Sequence, residues 1–267
     1  MPEGHTVHRI ANDFNRLFAR QVVSITSPQG RFSEGAQLIS GRTLIKAKAI
    51  GKQMFLKFDN QLTLRVHLGI YGKWNIVQLD GEELPQPTGQ VRARFCTDDY
   101  LADLRGPTVC EVLSKTEVKE VEKRLGPDPL NPDPKGVEQA RFVQKVLGSK
   151  TPIGLLLMNQ DVIAGIGNVY RAEILFRANL DPHRPGNELQ SSQVEAIWRD
   201  AVGLLKVGVK TGFMITRDEL RTKRPSKAER NFVYKREGLP CRICKTNISI
   251  EIMAARKLYF CASCQPA

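Results

Sequence analysis

Four prolines fall within eight residues in the stretch Gly126-Pro127-Asp128-Pro129-Leu130-Asn131-Pro132-Asp133-Pro134. Each proline fixes φ and removes a backbone donor, so neither a helix interior nor a central strand can run through this stretch. It therefore divides the chain, and the apolar periods on its two sides differ. Before it, residues 21–25, 42–47, 53–58 and 62–66 alternate or run apolar at strand length, separated by turn residues such as Asp59-Asn60. One helix precedes these strands over residues 4–19, where Val7, Ile10, Phe14, Leu17 and Phe18 recur at helical spacing. After the break Val137, Ala140, Val143 and Leu147 share one helical face, and further helical stretches are predicted near 151–159, 168–178 and 188–208. No internal repeat is present. Strands followed by helices make this an α+β chain.

A length of 267 residues suits about two domains, each with its own core. With 41% hydrophobic and 25% charged residues, disorder is excluded, and no apolar run is long enough for a membrane-spanning helix. The start, Met1-Pro2-Glu3-Gly4-His5-Thr6, lacks the basic-then-apolar pattern of a secretory leader, so a cytoplasmic location is expected. Charge is more informative. The net charge is +12, and residues 206–267 hold 14 basic against 5 acidic side chains. Such a block is the footprint of a phosphate-rich partner, with a merely solvated basic surface as the alternative. An aromatic content of 7% argues against binding single strands mainly by stacking.

Cys241, Cys244, Cys261 and Cys264 read C-x2-C-x16-C-x2-C, the spacing of a four-thiolate zinc site. Two tight turns each present two sulfurs to one metal, and the residues between them form a hairpin. Four protein ligands close the site, which makes one Zn2+ structural rather than catalytic. Disulfides are the competing reading and require an oxidising compartment. Cys96 and Cys110 belong to no motif and read as small buried residues.

The amino terminus carries a second chemical signal. Removal of the initiator Met1 exposes a secondary amine at Pro2. An α-amino group titrates near 7.7–8.0, so much of it is free base at neutral pH and competent to attack a sugar anomeric carbon. Glu3 stands beside it in sequence and can move protons. Alone, the pattern is a weak signal and reads as an innocent terminus, because proline at position two is common.

The opening Pro2-Glu3-Gly4 resembles the start of the formamidopyrimidine-DNA glycosylase and endonuclease VIII family of base-excision repair enzymes. Further segments resemble that family in the same order: Ile50-Gly51-Lys52-Gln53-Met54, without the family's arginine; Leu125-Gly126-Pro127-Asp128-Pro129-Leu130; and the stretch from Gln160 through Gly165-Ile166-Gly167-Asn168 to Glu173. The last matches the helix–two-turn–helix signature and is the most specific. The cysteine hairpin carries Arg256 five residues before Cys261, as the family's does. The residues also have their own physical reading: Gly165 and Gly167 permit a tight turn at a helix mouth, where free amides and the dipole favour a phosphate.

The resemblance implies an N-terminal β-sandwich with an N-terminal helix (1–125), an interdomain linker (126–136), a helical helix–two-turn–helix domain (137–239) and a zinc hairpin (240–267). It implies a bifunctional DNA glycosylase and abasic-site lyase acting on double-stranded DNA that carries a damaged base or an abasic site. DNA would lie across a basic cleft between the domains. Pro2 would be the nucleophile, Glu3 the proton donor, and Lys52 a residue that binds a flanking phosphate and positions the reaction. Asn168 and Arg256 would hold the DNA backbone, and Ile70 and Tyr71 would fill the gap left by the flipped base. The bland alternative places Ile70 and Tyr71 in the core at a strand end. No obligate protein partner or membrane is implied, and a monomer is the default.

Departures bear on the lesion. Asp103-Leu104-Arg105-Gly106-Pro107-Thr108 stands where the oxidised-purine branch carries an Arg-Arg-Phe loop, Thr6 where that branch has a glutamate, and Gly154 where it has a lysine. These favour oxidised pyrimidines, with oxidised purines or abasic sites as the alternative substrates. A non-catalytic zinc-containing nucleic-acid-binding protein is the reading from another class. The basic segment 217–230 lies where the family varies the loop over the flipped base, and its role stays open.

Overall fold

The computed structural model describes residues 2–81 and 84–267. The chain divides into two compact units, Met1–Arg124 and Leu125–Ala267.

The first unit begins with helix α1, Gly4–Leu17. Val7, Ala11, Phe14 and Leu17 form its buried stripe, and Arg20, at φ +68°, turns the chain away after it. Strands β1 (Val22–Thr26), β2 (Arg42–Ile50), β3 (Gln53–Phe58), β4 (Thr63–His67), β5 (Lys73–Gln78), β6 (Val91–Cys96), β7 (Tyr100–Arg105) and β8 (Val109–Leu113) follow. They pair in the order β5-β7-β6-β1-β2-β3-β4-β8, all antiparallel. The β1–β2 link pairs only Val22 with Thr43 and Val23 with Arg42. The strands thus form two four-stranded layers joined at one corner, the β-sandwich expected from the sequence.

Phe14 locks α1 onto this sandwich. Its ring lies 4.9 Å from Phe18, 4.7 Å from Trp74 and 5.8 Å from Phe95, and aromatic pairs of this kind contribute about 0.5–1.5 kcal/mol each beyond area burial. Asn15 adds a polar lock, donating to the Ala47 carbonyl and accepting from the Ala47 amide, both at 2.8 Å. These contacts fasten the last two turns of α1 to the sheet.

Two helices have no counterpart in the sequence reading. Helix α2, Ser33–Ile39, has too few turns to show a period. Helix α3, Lys115–Lys123, buries none of its residues and is held by a capping box between Ser114 and Glu117. Cys96 and Cys110 are half-buried rather than buried; burial still pushes the Cys110 thiol up to about 12.

In the second unit the proline-rich segment is packed, not loose. The Gly126 amide donates to the Gln160 carbonyl, and the Ala164 amide donates to the Pro127 carbonyl, each at 2.8 Å. A Cβ at Gly126 would lie 2.3 Å from the Asp161 carbonyl oxygen, so only glycine permits this approach. Helices α4 (Val137–Leu147), α5 (Ile153–Leu156), α6 (Asn168–Arg177) and α7 (Ser191–Thr211) surround a core that includes Phe142, Ile163, Tyr170, Trp198 and Leu204. The stretch expected at 151–159 is one turn of helix after Pro152. That expected at 188–208 is shifted to 191–211, because Gln190 and Gln193 cap its start and Gly212, at φ +78°, ends it. Strands β9 (Ser249–Met253) and β10 (Arg256–Phe260) form a separate hairpin. No described helix is long and apolar enough to cross a membrane.

Candidate functional site

Glu3 is buried and caps α1 with its backbone: its carbonyl accepts from Thr6 at 2.9 Å and Val7 at 3.4 Å. His5 is buried two residues on, and burial first, then the positive charges of the amino terminus, Arg9 and His8, push its imidazole down to about 4. A buried carboxyl and a neutral imidazole thus follow Pro2 in sequence.

Lys52 occupies the two-residue turn between β2 and β3, where Ile50 pairs with Gln53. Gly51 precedes it at φ +56°, a positive angle at the position where a tight hairpin favours glycine. Gln53 also pairs with His67, so Lys52 and the loop after β4 lie at the same end of the sheet. Burial first, then the charges of Lys52 and Arg65, lower the His67 pKa. His67 Nδ1 lies 2.8 Å from Thr108 Oγ1 and accepts from the Gly69 amide at 3.2 Å.

That loop is tight. The Gly72 amide donates to the Leu68 carbonyl at 2.9 Å, and a Cβ on Gly72 would lie 2.2 Å from the same oxygen. Its tip carries Ile70, 54% exposed, and Tyr71, 86% exposed. These two are not core residues; they are large apolar side chains held out on a rigid turn.

In the second unit Gln160 builds the turn before α6. Its Oε1 accepts from the Gly165 amide at 3.0 Å, and its Nε2 donates to the carbonyls of Met158 and Ile166 at 3.0 and 2.9 Å. Gly165 takes φ +100°, which an L side chain rarely adopts. Asn168 opens α6 and is nearly buried. Its Nδ2 donates to the Lys257 carbonyl on β10 at 2.8 Å. Arg171, one turn on and fully buried, donates to that carbonyl at 3.1 Å and also to Asn168 Oδ1. The structure therefore brings Asn168 to the strand that carries Arg256. Arg171 escaped the sequence reading; its one signal is the three-residue spacing from Asn168 on a helix whose residues 168–176 are all buried.

Arg256 is exposed at the start of β10, paired with Met253 across a two-residue turn. At one end of the second unit the sulfurs of Cys241, Cys244, Cys261 and Cys264 all lie within 4.8 Å of one another. Cys241 and Cys264 are 3.9 Å apart and Cys244 and Cys261 3.4 Å. A tetrahedral ion with metal–sulfur bonds near 2.3 Å sets its sulfurs about 3.8 Å apart, so the four thiols fit such an ion.

Two positions that bear on the lesion are accounted for by packing. Asp103 is buried and consumed by Arg94 at 2.8 Å and Arg105 at 2.9 Å. A Cβ on Gly154 would lie 2.9 Å from the Pro182 carbonyl and 3.0 Å from Met253 Sδ, which leaves no room for a lysine without rearrangement.

Comparison with known proteins agrees with this geometry. Residues 1–110 match the formamidopyrimidine-DNA glycosylase N-terminal domain, and residues 125–219 match the formamidopyrimidine-DNA glycosylase H2TH domain. Endonuclease 8 1 of Mycobacterium tuberculosis is 44% identical over 271 residues, covering 99% of this chain and 100% of that protein. Endonuclease 8 of Escherichia coli is 29% identical over 272 residues, with 99% and 100% covered. The formamidopyrimidine-DNA glycosylase of Lactococcus lactis, solved bound to DNA containing an abasic site, superposes with a TM-score of 0.81 at 22% identity, covering 99% and 100% of the two chains.

Proposed function

The chain belongs to the formamidopyrimidine-DNA glycosylase family, whose members are bifunctional DNA glycosylases and abasic-site lyases, and on that premise we propose that it removes oxidised pyrimidines through an iminium at Pro2. The observation that carries the chemistry is the burial of Glu3, directly beside Pro2, at the start of a helix whose buried stripe begins at Gly4 and His5.

Glu3 protonates the deoxyribose ring oxygen while the Pro2 nitrogen attacks the anomeric carbon, and the damaged base leaves. The nitrogen loses its proton and the sugar opens as an iminium. The iminium acidifies the adjacent C2′ proton, so loss of that proton expels the 3′ phosphate; a second elimination expels the 5′ phosphate. Lys52, in the turn between β2 and β3, holds a phosphate flanking the lesion. Asn168 and Arg256 hold the backbone, and Ile70 and Tyr71 occupy the space vacated by the flipped nucleotide.

One Zn2+ on the four cysteines would fasten the hairpin that carries Arg256, and no chemical step passes through it. The preference for pyrimidines rests on Asp103, Thr6 and Gly154 and on the 44% identity with an endonuclease 8. Incubating untagged protein with duplexes containing thymine glycol, 8-oxoguanine or an abasic site tests the reading. Cleavage of thymine glycol several-fold faster than of 8-oxoguanine, leaving phosphate at both ends of the gap, is expected. The reverse order would move the chain to oxidised purines, and cleavage of the abasic duplex alone would leave it a lyase.

A further inference from the structure

The basic segment after α7 is a closed loop with a defined root. The Thr216 amide donates to the Arg230 carbonyl at 3.1 Å, which seals residues 217–230 into one excursion. Two residues one turn apart on α6 hold that root. Glu173, fully buried, accepts from the Thr216 hydroxyl on the entering side and from the amides of Phe232, Val233 and Tyr234, at 2.7–2.8 Å, on the leaving side. Arg177 forms a bidentate pair with Asp200 of α7 at 2.8 Å, donates to the Thr216 carbonyl at 2.7 Å and pairs with Asp218 at 3.2 Å.

Inside the loop most charge is already used. Arg217 pairs with Glu219 and donates to the Glu229 carbonyl at 3.0 Å, and Arg221 pairs with Asp218. Arg230 donates to the Pro225 carbonyl at 3.1 Å and lies 4.0 Å over the Phe213 ring. Glu229 accepts from the Ser226 amide at 2.9 Å. Three cations remain: Lys223, Arg224 and Lys227 are exposed and make no ion pair among the described residues. A loop whose shape is already fixed loses little further freedom when these charges meet a partner.

We propose that Lys223, Arg224 and Lys227 form a contact edge for the phosphodiester backbone of DNA, held in place by Glu173 and Arg177 as positioning residues. The proposal rests on the DNA-repair reading above and adds a site to it. The ligand is the backbone, whose phosphates offer acceptors to these three cations at any sequence, and residues 217–230 contain no aromatic ring on which a base could stack. The contribution is accordingly independent of sequence and lesion.

The test is the salt dependence of DNA affinity for K223Q/R224Q/K227Q, with K115Q/K119Q on the exposed helix α3 as a surface control. Each lost phosphate contact lowers the log–log slope by about 0.9, so the triple variant should lose about 2.7 on intact and on damaged duplex alike while the control keeps its slope. Arg177→Ala should lose part of the same slope, and Arg177→Lys, which retains a charge for Asp200, should recover some of it. An unchanged slope in the triple variant overturns the proposal, as does a loss confined to lesion-containing duplex. Because the triple variant changes only exposed side chains, it decides the matter even where Arg177→Ala fails to fold. Borohydride trapping of the unaltered protein on abasic DNA separates the two readings: no trapping removes the enzymatic reading, whereas the slope comparison alone judges the loop.

Discussion

The side-chain amide of Asn168 donates to the backbone carbonyl of Lys257 at 2.8 Å, so the first residue of α6 is tied to the cysteine hairpin one residue from Arg256. Arg171 shares that acceptor. The hairpin and the helix terminus are therefore one mechanical unit, and both of the residues assigned to the DNA backbone depend on it.

Metal removal should act through this tie. The chain is expected to carry about one zinc per molecule by elemental analysis, and Cys244→Ser should lose it. Loss of the ion should weaken DNA binding more than Arg256→Ala does alone, because Lys257 moves away from Asn168 as well. Equal losses in the two variants would show that the hairpin and α6 act independently.

Stability should fall on mild acidification because of His5. An unfolded histidine titrates near 6.5, and the buried His5 near 4. Above pH 6.5 neither state holds the proton and the shift has no effect. As pH falls from 6.5 towards 4 the unfolded chain binds a proton that the folded one does not, which costs up to roughly 3 kcal/mol. His67, lowered by burial and by Lys52, adds in the same direction. At His183 burial opposes charging but the carboxylates of Asp181 and Glu251 prevail and raise its pKa, so its contribution runs the other way. His5→Gln should flatten the urea midpoint between pH 7 and pH 4.5; an unaltered slope would contradict the assignment.

What local spacing can specify was legible in the sequence. The cysteine quartet and the proline break each need only a few neighbouring residues, whereas the Gly165–Asn168 turn and the amino-terminal pair take a functional meaning only from several segments resembling one family in order. Arg171 and Glu173 were not legible as structural residues, because charged side chains on a helix ordinarily face solvent. In the fold both are fully buried, and each takes a partner from residues 216–257, far along the chain. Helix α3 was missed for the opposite reason: with no buried residue it has no apolar stripe to read.

The turn that precedes Arg256 is strained. Ala254 and Ala255 take φ +48° and +59°, a pair of angles that favours an Asn-Gly dipeptide. The double substitution A254N/A255G should therefore stabilise the chain by about 1–2 kcal/mol in chemical denaturation. A destabilised variant would show that the alanine methyls make contacts that outweigh the backbone strain.

The exposed tip of the loop after β4 should matter for excision and not for folding. Tyr71→Ala should change stability by less than about 0.5 kcal/mol, since its side chain is largely in solvent. It should slow removal of a base from duplex about tenfold or more while affecting strand cleavage at a preformed abasic site much less, because that site has no base to extrude. Equal effects on both substrates would argue against a gap-filling role.

Borohydride trapping on abasic-site DNA, with untagged protein whose amino-terminal mass has been verified, tests the central claim most directly. Reduction turns the iminium into a stable amine, so the intermediate becomes a covalent protein–DNA adduct that peptide mapping can locate. The account predicts an adduct at Pro2, absent from protein that retains Met1. An adduct at Lys52, or none from protein with a free Pro2 amine, would contradict it.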